Sequence, residues 1–155
     1  ETINKRWRIF KFLGGFPLDA YENNLPSTGV VDRLQIAQYP SGVGELELHS
    51  DPYLNQKIAI SGIMSKRGMD YKTGGAYILN SNKEKIDVED DMDIGDIYLV
   101  YPTVFHGVET IDKGNEVDWS SFSGRWFMGL YSNASDCYAK RHTCYGVEDQ
   151  VLSGG

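Results

Sequence analysis

The segment at residues 45–51, with the sequence ELELHSD, ends on two side chains that can bind a metal ion. Its acidic and leucine positions alternate, which is typical of a β-strand with one apolar face. Because side chains two residues apart share a face of a strand, we expect His49 and Asp51 to converge on one space. An imidazole and a carboxylate placed in this way can both be ligands of a divalent metal ion.

The same alternation makes a prediction for the rest of this segment. Glu45 and Glu47 are expected on the face of the metal ligands, and Leu46 and Leu48 are expected on the opposite face, in the core.

A His-x-Asp triplet arises easily by chance, so a metal site requires a third ligand elsewhere in the chain. His106, one of three histidines, lies at the start of another short segment with strand character. Two histidines and one carboxylate form a facial triad, which leaves one side of the metal ion open to other ligands. The alternative for His106 is a histidine that is buried in the core and binds no metal.

Arg125 opens the apolar segment RWFMGL and is expected to be buried. A buried guanidinium without a partner is unstable, so Arg125 should face a carboxylate. Arginine is also the side chain best suited to bind a carboxylate through two hydrogen bonds. The carboxylate belongs either to the protein itself or to a bound ligand.

Eight short segments rich in β-branched and aromatic residues, separated by Gly, Pro, Asn and Asp, are predicted to be strands. Their spacing predicts an all-β sandwich or barrel. A short helix is predicted before them, at residues 16–21, and a loop-rich extension after them, at residues 132–155. The predicted strands span residues 33–39, 44–50, 57–65, 75–80, 84–89, 96–101, 104–110 and 124–131.

The size and charge of the chain limit the classes of function. We expect the 155 residues to form a single domain. The formal net charge of −7 and the absence of a long basic cluster argue against nucleic-acid binding. No apolar run reaches the ~20 residues of a membrane span, and no leader precedes the first polar residues, so a soluble, cytoplasmic protein is expected. The chain starts at Glu1 rather than Met, which leaves an upstream targeting segment open. Cys137 and Cys144 are either two reduced thiols or a local disulfide.

Together, His49-x-Asp51, His106 within Phe-His-Gly-Val, and Arg125 resemble the Fe(II)- and 2-oxoglutarate-dependent dioxygenases, a superfamily of non-haem iron oxygenases. The resemblance extends over about residues 33–131. Shorter motifs support it, namely YPSG at residues 39–42, the glycine pair at 74–75 and IGD at residues 94–96. It implies a double-stranded β-helix, which is a cupin-like jelly roll of eight strands, within a single dioxygenase domain at residues 1–155.

The resemblance also implies roles for individual residues. His49, Asp51 and His106 would bind Fe(II) and form the catalytic centre. The cosubstrate 2-oxoglutarate would chelate the iron, and Arg125 would bind its distal carboxylate, with Tyr39 as a second candidate for that contact. The reaction would use O2 to convert 2-oxoglutarate to succinate and CO2 while it hydroxylates a small molecule or an amino-acid or peptide side chain.

One spacing departs from the family pattern. Many members place the arginine about a dozen residues after the distal histidine, whereas Arg125 follows His106 across a longer polar stretch. A longer turn between two strands accounts for the difference, because loops tolerate insertions. Lys113 is the alternative anchor for the distal carboxylate.

The implied topology also predicts which loops meet the substrate. We call the end of the barrel at which the second strand ends the mouth, and the opposite end the base. Arg125 and Tyr39 are expected at the base, and the loops at residues 52–56, 80–83 and 101–105 are expected around the mouth. Substrate contacts are therefore expected from Tyr53, Asn55, Asn80, Tyr101 and either Arg141 or His142.

Two other classes of function remain open at this point, and the oligomeric state is open as well. One is a non-redox, metal-dependent cupin-like enzyme, such as an isomerase or epimerase. The other is a ligand-binding jelly-roll module with a vestigial site.

Overall fold

A computed structural model describes residues 8–9, 12, 27, 30–52, 58–135, 137 and 145–146. Within these residues the protein is all-β, as predicted, and helical conformation is confined to Arg8, Ile9, Phe12 and a 3-10 position at Ser27. The helix predicted at residues 16–21 lies outside the described residues. In the described part of the chain, no helix has the length and hydropathy needed to cross a bilayer.

Eight of the nine strands in the described residues correspond to the eight predicted segments. The first and the last of these eight strands are longer than predicted, and the six between them are shorter. The strands are β1 (Val30–Pro40), β2 (Leu46–Ser50), β3 (Ala59–Ile63), β4 (Gly75–Leu79), β5 (Lys85–Asp87), β6 (Ile97–Val100), β7 (His106–Glu109), β8 (Gly124–Ala134) and β9 (Tyr145–Gly146).

The strands form two antiparallel sheets. The first sheet has the order β1-β8-β3-β6 and the second has the order β5-β4-β7-β2-β9. The longest ladder joins β1 to β8 without interruption, from Val30 opposite Ala134 to Pro40 opposite Gly124. Consecutive strands therefore alternate between the sheets over most of the chain, so residues distant in sequence become neighbours.

The ninth strand comes from the extension that was predicted to be rich in loops. β9 pairs with β2, so that Gly146 lies opposite His49. This pairing places β2 between two neighbours rather than at the edge of the sheet. Cys137, in the same extension, is an exposed free thiol, which decides against the local disulfide for this cysteine.

Backbone hydrogen bonds identify the two ends of the molecule. At the mouth, the amide of Asp51 donates to the carbonyl of Pro102 over 2.8 Å, so the end of β2 meets the loop before β7. At the base, the amide of Gly42 donates to the backbone carbonyl of Ile111 over 2.7 Å, and the amide of Gly124 donates to the backbone carbonyl of Asp70 over 3.1 Å. The loops at residues 101–105 and 66–73 thus lie at opposite ends of the molecule, and the first of them lies at the mouth, as predicted.

The base is also where a cluster of buried apolar side chains lies, formed by Tyr71, Ala76, Val108 and Ile111. Asp112 joins three chain segments beside this cluster. Its carboxylate accepts hydrogen bonds from the amides of Lys72 and Thr73 and from the hydroxyl of Ser41, over 2.7–2.9 Å. These bonds lower the pKa of Asp112 even though burial alone would raise it. The base is therefore the closed end of the molecule.

A β-bulge in β2 changes the alternation that the sequence predicts. Leu46 lies opposite Val108 and His49 lies opposite His106, so three positions along β2 match two positions along β7. A bulge inserts one extra residue and shifts the following side chains to the other face. As a result, Leu46 and His49 face the same side of the sheet.

The bulge makes part of the sequence prediction wrong. Glu45 and Glu47 do not share the face of the metal ligands but line a separate groove, in which Glu45 accepts a hydrogen bond from Thr110. Leu46 is not an ordinary core residue, because 40% of its surface is exposed and it lines the cavity that contains the ligands. The prediction failed because it assumed a regular period of two through the whole segment.

Candidate metal centre

The structure brings His49, Asp51 and His106 together at the mouth. The Nε2 atom of His49 lies 3.7 Å from Asp51 Oδ1, and the Nε2 atom of His106 lies 3.6 Å from Asp51 Oδ2. One ligand atom from each residue lies within 4.8 Å of the others, so the group could hold a metal ion. The two rings come together because β2 and β7 pair with His49 directly opposite His106.

Hydrogen bonds to the backbone orient both imidazole rings. The Nδ1 atom of His49 lies 2.7 Å from the carbonyl oxygen of Glu47, and that of His106 lies 2.8 Å from the carbonyl oxygen of Val104. A carbonyl oxygen can only accept, so Nδ1 carries the proton in each ring. The Nε2 atom of each ring faces Asp51, and in the neutral form of the ring its lone pair is available to a metal ion. Backbone carbonyls commonly fix metal-binding histidines in this way.

Asp51 favours protonation of His106 in the absence of a metal ion. Burial lowers the pKa of His106, but the contact with Asp51 and the hydrogen bond to Val104 outweigh it and raise the pKa above its ordinary value. Between 13% and 22% of each ligand side chain is exposed. A metal ion can thus reach the site from solvent, where it would compete with a proton for Nε2 of His106.

The three ligands lie on one wall of a cavity of about 230 Å³ between the two sheets. β2, β4 and β7 form this wall, and β1, β3, β6 and β8 form the opposite one. The cavity extends from the mouth toward Tyr39 and Arg125, which also line it. Its volume suits a small ligand that lies between the metal ligands and the base.

Arg125 is buried, as the sequence predicts, and its carboxylate partner is Glu89. The Nε atom of Arg125 donates to Glu89 Oε1 over 2.7 Å, and Nη2 donates to the same oxygen. Only 2% of the arginine side chain and 3% of the glutamate side chain are exposed. Burial lowers the pKa of Arg125, but the bonds and charge of Glu89 raise it by more, so the guanidinium stays charged. The protein thus supplies a carboxylate for Arg125, which is one of the two alternatives that the sequence left open.

The other oxygen of Glu89 is also bound. Tyr71 donates its hydroxyl hydrogen to Glu89 Oε2 over 2.7 Å, and burial together with this bond raises the pKa of Tyr71. Gly75 makes room for the pair, because a Cβ atom there would lie 2.7 Å from Glu89 Oε2 and 2.6 Å from Nη2 of Arg67. Its φ of +128° likewise favours glycine. Glu89 is a buried functional group that the sequence reasoning missed, since no local pattern distinguishes it from neighbouring acidic residues.

Tyr39 lies at the same depth as Arg125. The two residues face each other across the β1–β8 ladder, and the guanidinium carbon lies 5.2 Å from the centroid of the Tyr39 ring. Burial raises the pKa of Tyr39, although the charge of Arg125 opposes this shift. Tyr39 therefore stays a neutral hydroxyl that can donate a hydrogen bond within the cavity. Lys113, the alternative anchor, is exposed in the separate groove and does not line the cavity.

The wall opposite the metal ligands carries polar side chains that the sequence reasoning did not single out. Arg33, Gln35, Tyr98 and Tyr131 all line the cavity. Strand periodicity could have identified three of them, because residues 33 and 35 share a face with Tyr39 on β1 and residue 131 shares a face with Arg125 on β8.

Two of the predicted substrate contacts fall within the described residues, and neither lies on the cavity wall. Asn80 and Tyr101 are absent from its lining, and the Asn80 side chain closes its own turn through hydrogen bonds with Asn82 and Glu84. Residues 53, 55, 141 and 142 lie outside the described part of the chain.

Comparisons with protein-family models, with curated proteins and with solved structures found no match for this chain.

Proposed function

We propose that this protein is an Fe(II)- and 2-oxoglutarate-dependent oxygenase that hydroxylates a small molecule or an amino-acid or peptide side chain. The observation that carries the proposal is the group of His49, Asp51 and His106, whose ligand atoms lie within 4.8 Å of one another. Two imidazole nitrogens and one carboxylate are the donor set of non-haem Fe(II) oxygenases. Because only three positions around the metal are taken, a cosubstrate and O2 can bind at the others.

The order of the strands supports this assignment. Two facing sheets with the orders β1-β8-β3-β6 and β5-β4-β7-β2 are what a jelly roll requires, because consecutive strands alternate between the sheets. We propose this fold for the domain, with β9 added at the edge beside β2. In such a barrel the metal ligands of β2 and β7 face inward at the mouth, where a substrate can enter.

The bound iron and cosubstrate would supply the oxidation, in which 2-oxoglutarate, O2 and a substrate C–H group give succinate, CO2 and the hydroxylated product. The residues of the chain would bind and orient the reactants. His49, Asp51 and His106 would hold the metal ion, and Tyr39 and Arg125 would meet the distal carboxylate at the base. The apolar side chains of Val100 and Phe127 in the cavity wall would limit the access of water.

The pairing of Arg125 with Glu89 favours a second candidate. A guanidinium that already binds a buried carboxylate attracts a further carboxylate less strongly than a free one does. This observation favours a metal-dependent cupin-like enzyme, such as an isomerase or epimerase, that uses the same metal site without 2-oxoglutarate. The two candidates differ in whether 2-oxoglutarate binds to the metal-loaded protein.

Anaerobic titration of the protein with Fe(II) and then 2-oxoglutarate tests the proposal. We expect a weak charge-transfer band in the visible spectrum when 2-oxoglutarate chelates the iron, and formation of succinate once oxygen is admitted. Fe(II) binding without this band, and without measurable 2-oxoglutarate binding by calorimetry, would select the cupin-like alternative. Screening candidate substrates for stimulated succinate formation would then identify the compound that is hydroxylated.

Variants of the ligands test the metal site separately from the cosubstrate. His49→Ala and His106→Ala should each weaken Fe(II) binding at least about 100-fold, since a tridentate site loses one of its ligands. Arg125→Ala should weaken 2-oxoglutarate binding and leave Fe(II) binding nearly intact, provided that circular dichroism shows a folded protein. Full Fe(II) affinity in a histidine variant would remove that histidine from the proposed site.

A further inference from the structure

We infer that the substrate of this site carries a carboxylate, and that Arg33 and Gln35 bind it on the wall of the cavity opposite the metal ligands. The inference rests on the proposed function for the site and adds the chemical class of the substrate. Both side chains lie on β1, both line the same cavity as His49 and Asp51, and neither belongs to the metal group.

The position of Arg33 separates it from the proposed cosubstrate anchor. Arg33 lies opposite Tyr131 in the β1–β8 ladder, whereas Tyr39 lies opposite Arg125 at the base. Arg33 and Tyr39 are six positions apart on the strand, which corresponds to roughly 20 Å. This separation exceeds the length of a five-carbon dicarboxylate, so Arg33 is placed to meet a second ligand that enters from the mouth.

The charge of Arg33 is uncompensated within the described residues. Arg125 binds Glu89 and Arg67 binds Asp87, but Arg33 makes no ion pair with any side chain in the part of the chain that the structure describes. Gln35 likewise makes no side-chain hydrogen bond to any described residue, although it is half-buried. A guanidinium and an amide that both line a cavity offer several N–H donors to an anion, and a carboxylate fits the planar guanidinium best.

The aromatic ring of Tyr131 contacts the guanidinium of Arg33. The guanidinium carbon of Arg33 lies 5.8 Å from the centroid of the Tyr131 ring, within the range of a cation–π interaction. The ring in turn lies over Gly129, where a Cβ atom would come within 2.1 Å of it, so any other residue would force the ring to move. The contact with the Tyr131 ring therefore keeps the exposed side chain of Arg33 beside the cavity that it lines.

Tyr131 also connects this wall to the metal group. Burial raises the pKa of Tyr131, the negative charge of Asp51 contributes to the same shift, and Tyr131 Oη lies 3.4 Å from the hydroxyl of Ser61. The phenol is therefore neutral and close enough to feel the charge of Asp51. A substrate whose carboxylate is bound by Arg33 would extend past Tyr131 toward the proposed metal site.

The test measures the preference for carboxylates over amides by calorimetric titration of the Zn(II)-loaded protein, since Zn(II) accepts the same ligands and supports no turnover. The probes are three matched pairs: hexanoate and hexanamide, 3-phenylpropionate and its amide, and N-acetylleucine and its amide. Each pair is titrated with and without 2-oxoglutarate. At least one carboxylate should bind about tenfold or more tightly than its amide.

Three variants locate the preference. In Arg33→Gln the ratio of the two affinities should fall below about threefold, whereas Arg33→Lys should retain part of it because the charge remains. Lys113→Gln removes one positive charge outside the cavity and should leave the ratio unchanged. A carboxylate that binds only to the metal ion would still bind more tightly than its amide in Arg33→Gln.

The inference is wrong if no pair shows a preference in the wild-type protein, or if the preference survives in Arg33→Gln. Failure of the proposed function gives a different result. If 2-oxoglutarate does not bind but the carboxylate preference depends on Arg33, the anion site stands and the dioxygenase assignment does not. If 2-oxoglutarate binds and no carboxylate is preferred, only the substrate class is refuted.

Discussion

Replacement of Glu89 by glutamine tests the most buried charge pair in the described structure. The substitution keeps the size of the side chain, and its one remaining oxygen can accept a hydrogen bond from Arg125 while its NH2 group donates to the Tyr71 hydroxyl oxygen. It removes the negative charge that faces Arg125. The charged guanidinium then has no counter-charge in a site where only 2% of its side chain is exposed. The variant therefore isolates the effect of charge from that of packing.

The expected loss of stability is large. Breaking a buried ion pair by removing one partner typically costs about 3–5 kcal/mol, because the other charge is left without compensation. The remaining amide oxygen can accept one bond from Arg125, so we expect a value near the lower end, about 3 kcal/mol. A domain of this size is commonly stable by only about 5–15 kcal/mol, which makes the loss readily measurable.

Urea unfolding, followed by tryptophan fluorescence, measures this change. With an m value of about 2 kcal/mol per molar urea, the midpoint should fall by roughly 1.5 M. The matched control is Glu116→Gln, the same change at an exposed residue, which should alter stability by less than about 0.5 kcal/mol. A loss below about 1 kcal/mol in Glu89→Gln would refute the reasoning, because it would mean that other groups compensate Arg125.

The same variant examines the role proposed for Arg125 in binding 2-oxoglutarate. If the distal carboxylate binds this guanidinium, removal of the competing charge of Glu89 should strengthen 2-oxoglutarate binding. Saturating 2-oxoglutarate should then raise the urea midpoint of Fe(II)-loaded Glu89→Gln by more than it raises that of the wild-type protein. Equal 2-oxoglutarate affinity in both proteins, measured by anaerobic calorimetry, would argue that the carboxylate binds elsewhere.

Two further predictions concern the pocket at the base and the metal site. Gly75→Ala should lower the free energy of unfolding by more than about 3 kcal/mol, because its Cβ would contact Glu89 and Arg67. The control is Gly95→Ala, at a residue with a similar φ but open space around it. It should lower the free energy of unfolding by only about 1–2 kcal/mol in the same urea assay. Metal affinity should fall as the pH falls through the raised pKa of His106, by up to about tenfold per pH unit, because a proton then competes for Nε2. Titration with Zn(II) at several pH values checks this slope, and a flat profile across that range would contradict it.

Much of the architecture could be predicted from local patterns. The eight segments rich in β-branched and aromatic residues, bounded by glycine, proline and asparagine, became eight of the nine strands, with shifts of a few residues at their ends. The grouping of His49 with Asp51 followed from the alternation of side chains along a strand, and the donor type of His106 made it the candidate for a third ligand. Ligand type and strand period are both properties of short segments, so the sequence alone determined these features.

Other features depended on contacts between segments that are distant in the sequence. The bulge in β2 turned Leu46 toward the cavity and Glu45 away from it, and it arises from the pairing of β2 with β7, which no single segment encodes. β9 was missed because a strand of two residues has no period of its own.

The carboxylate partner of Arg125 shows the same limit most directly. The sequence determined that a buried guanidinium needs an anion, because an isolated charge is unstable in the interior. It did not determine which anion, since the chain has 22 acidic residues and most of their local surroundings look alike. Only the tertiary structure placed Glu89 against Arg125 across 36 positions of sequence, with Tyr71 on its other oxygen. Charge pairing acts through space, whereas sequence patterns report only on neighbours along the chain.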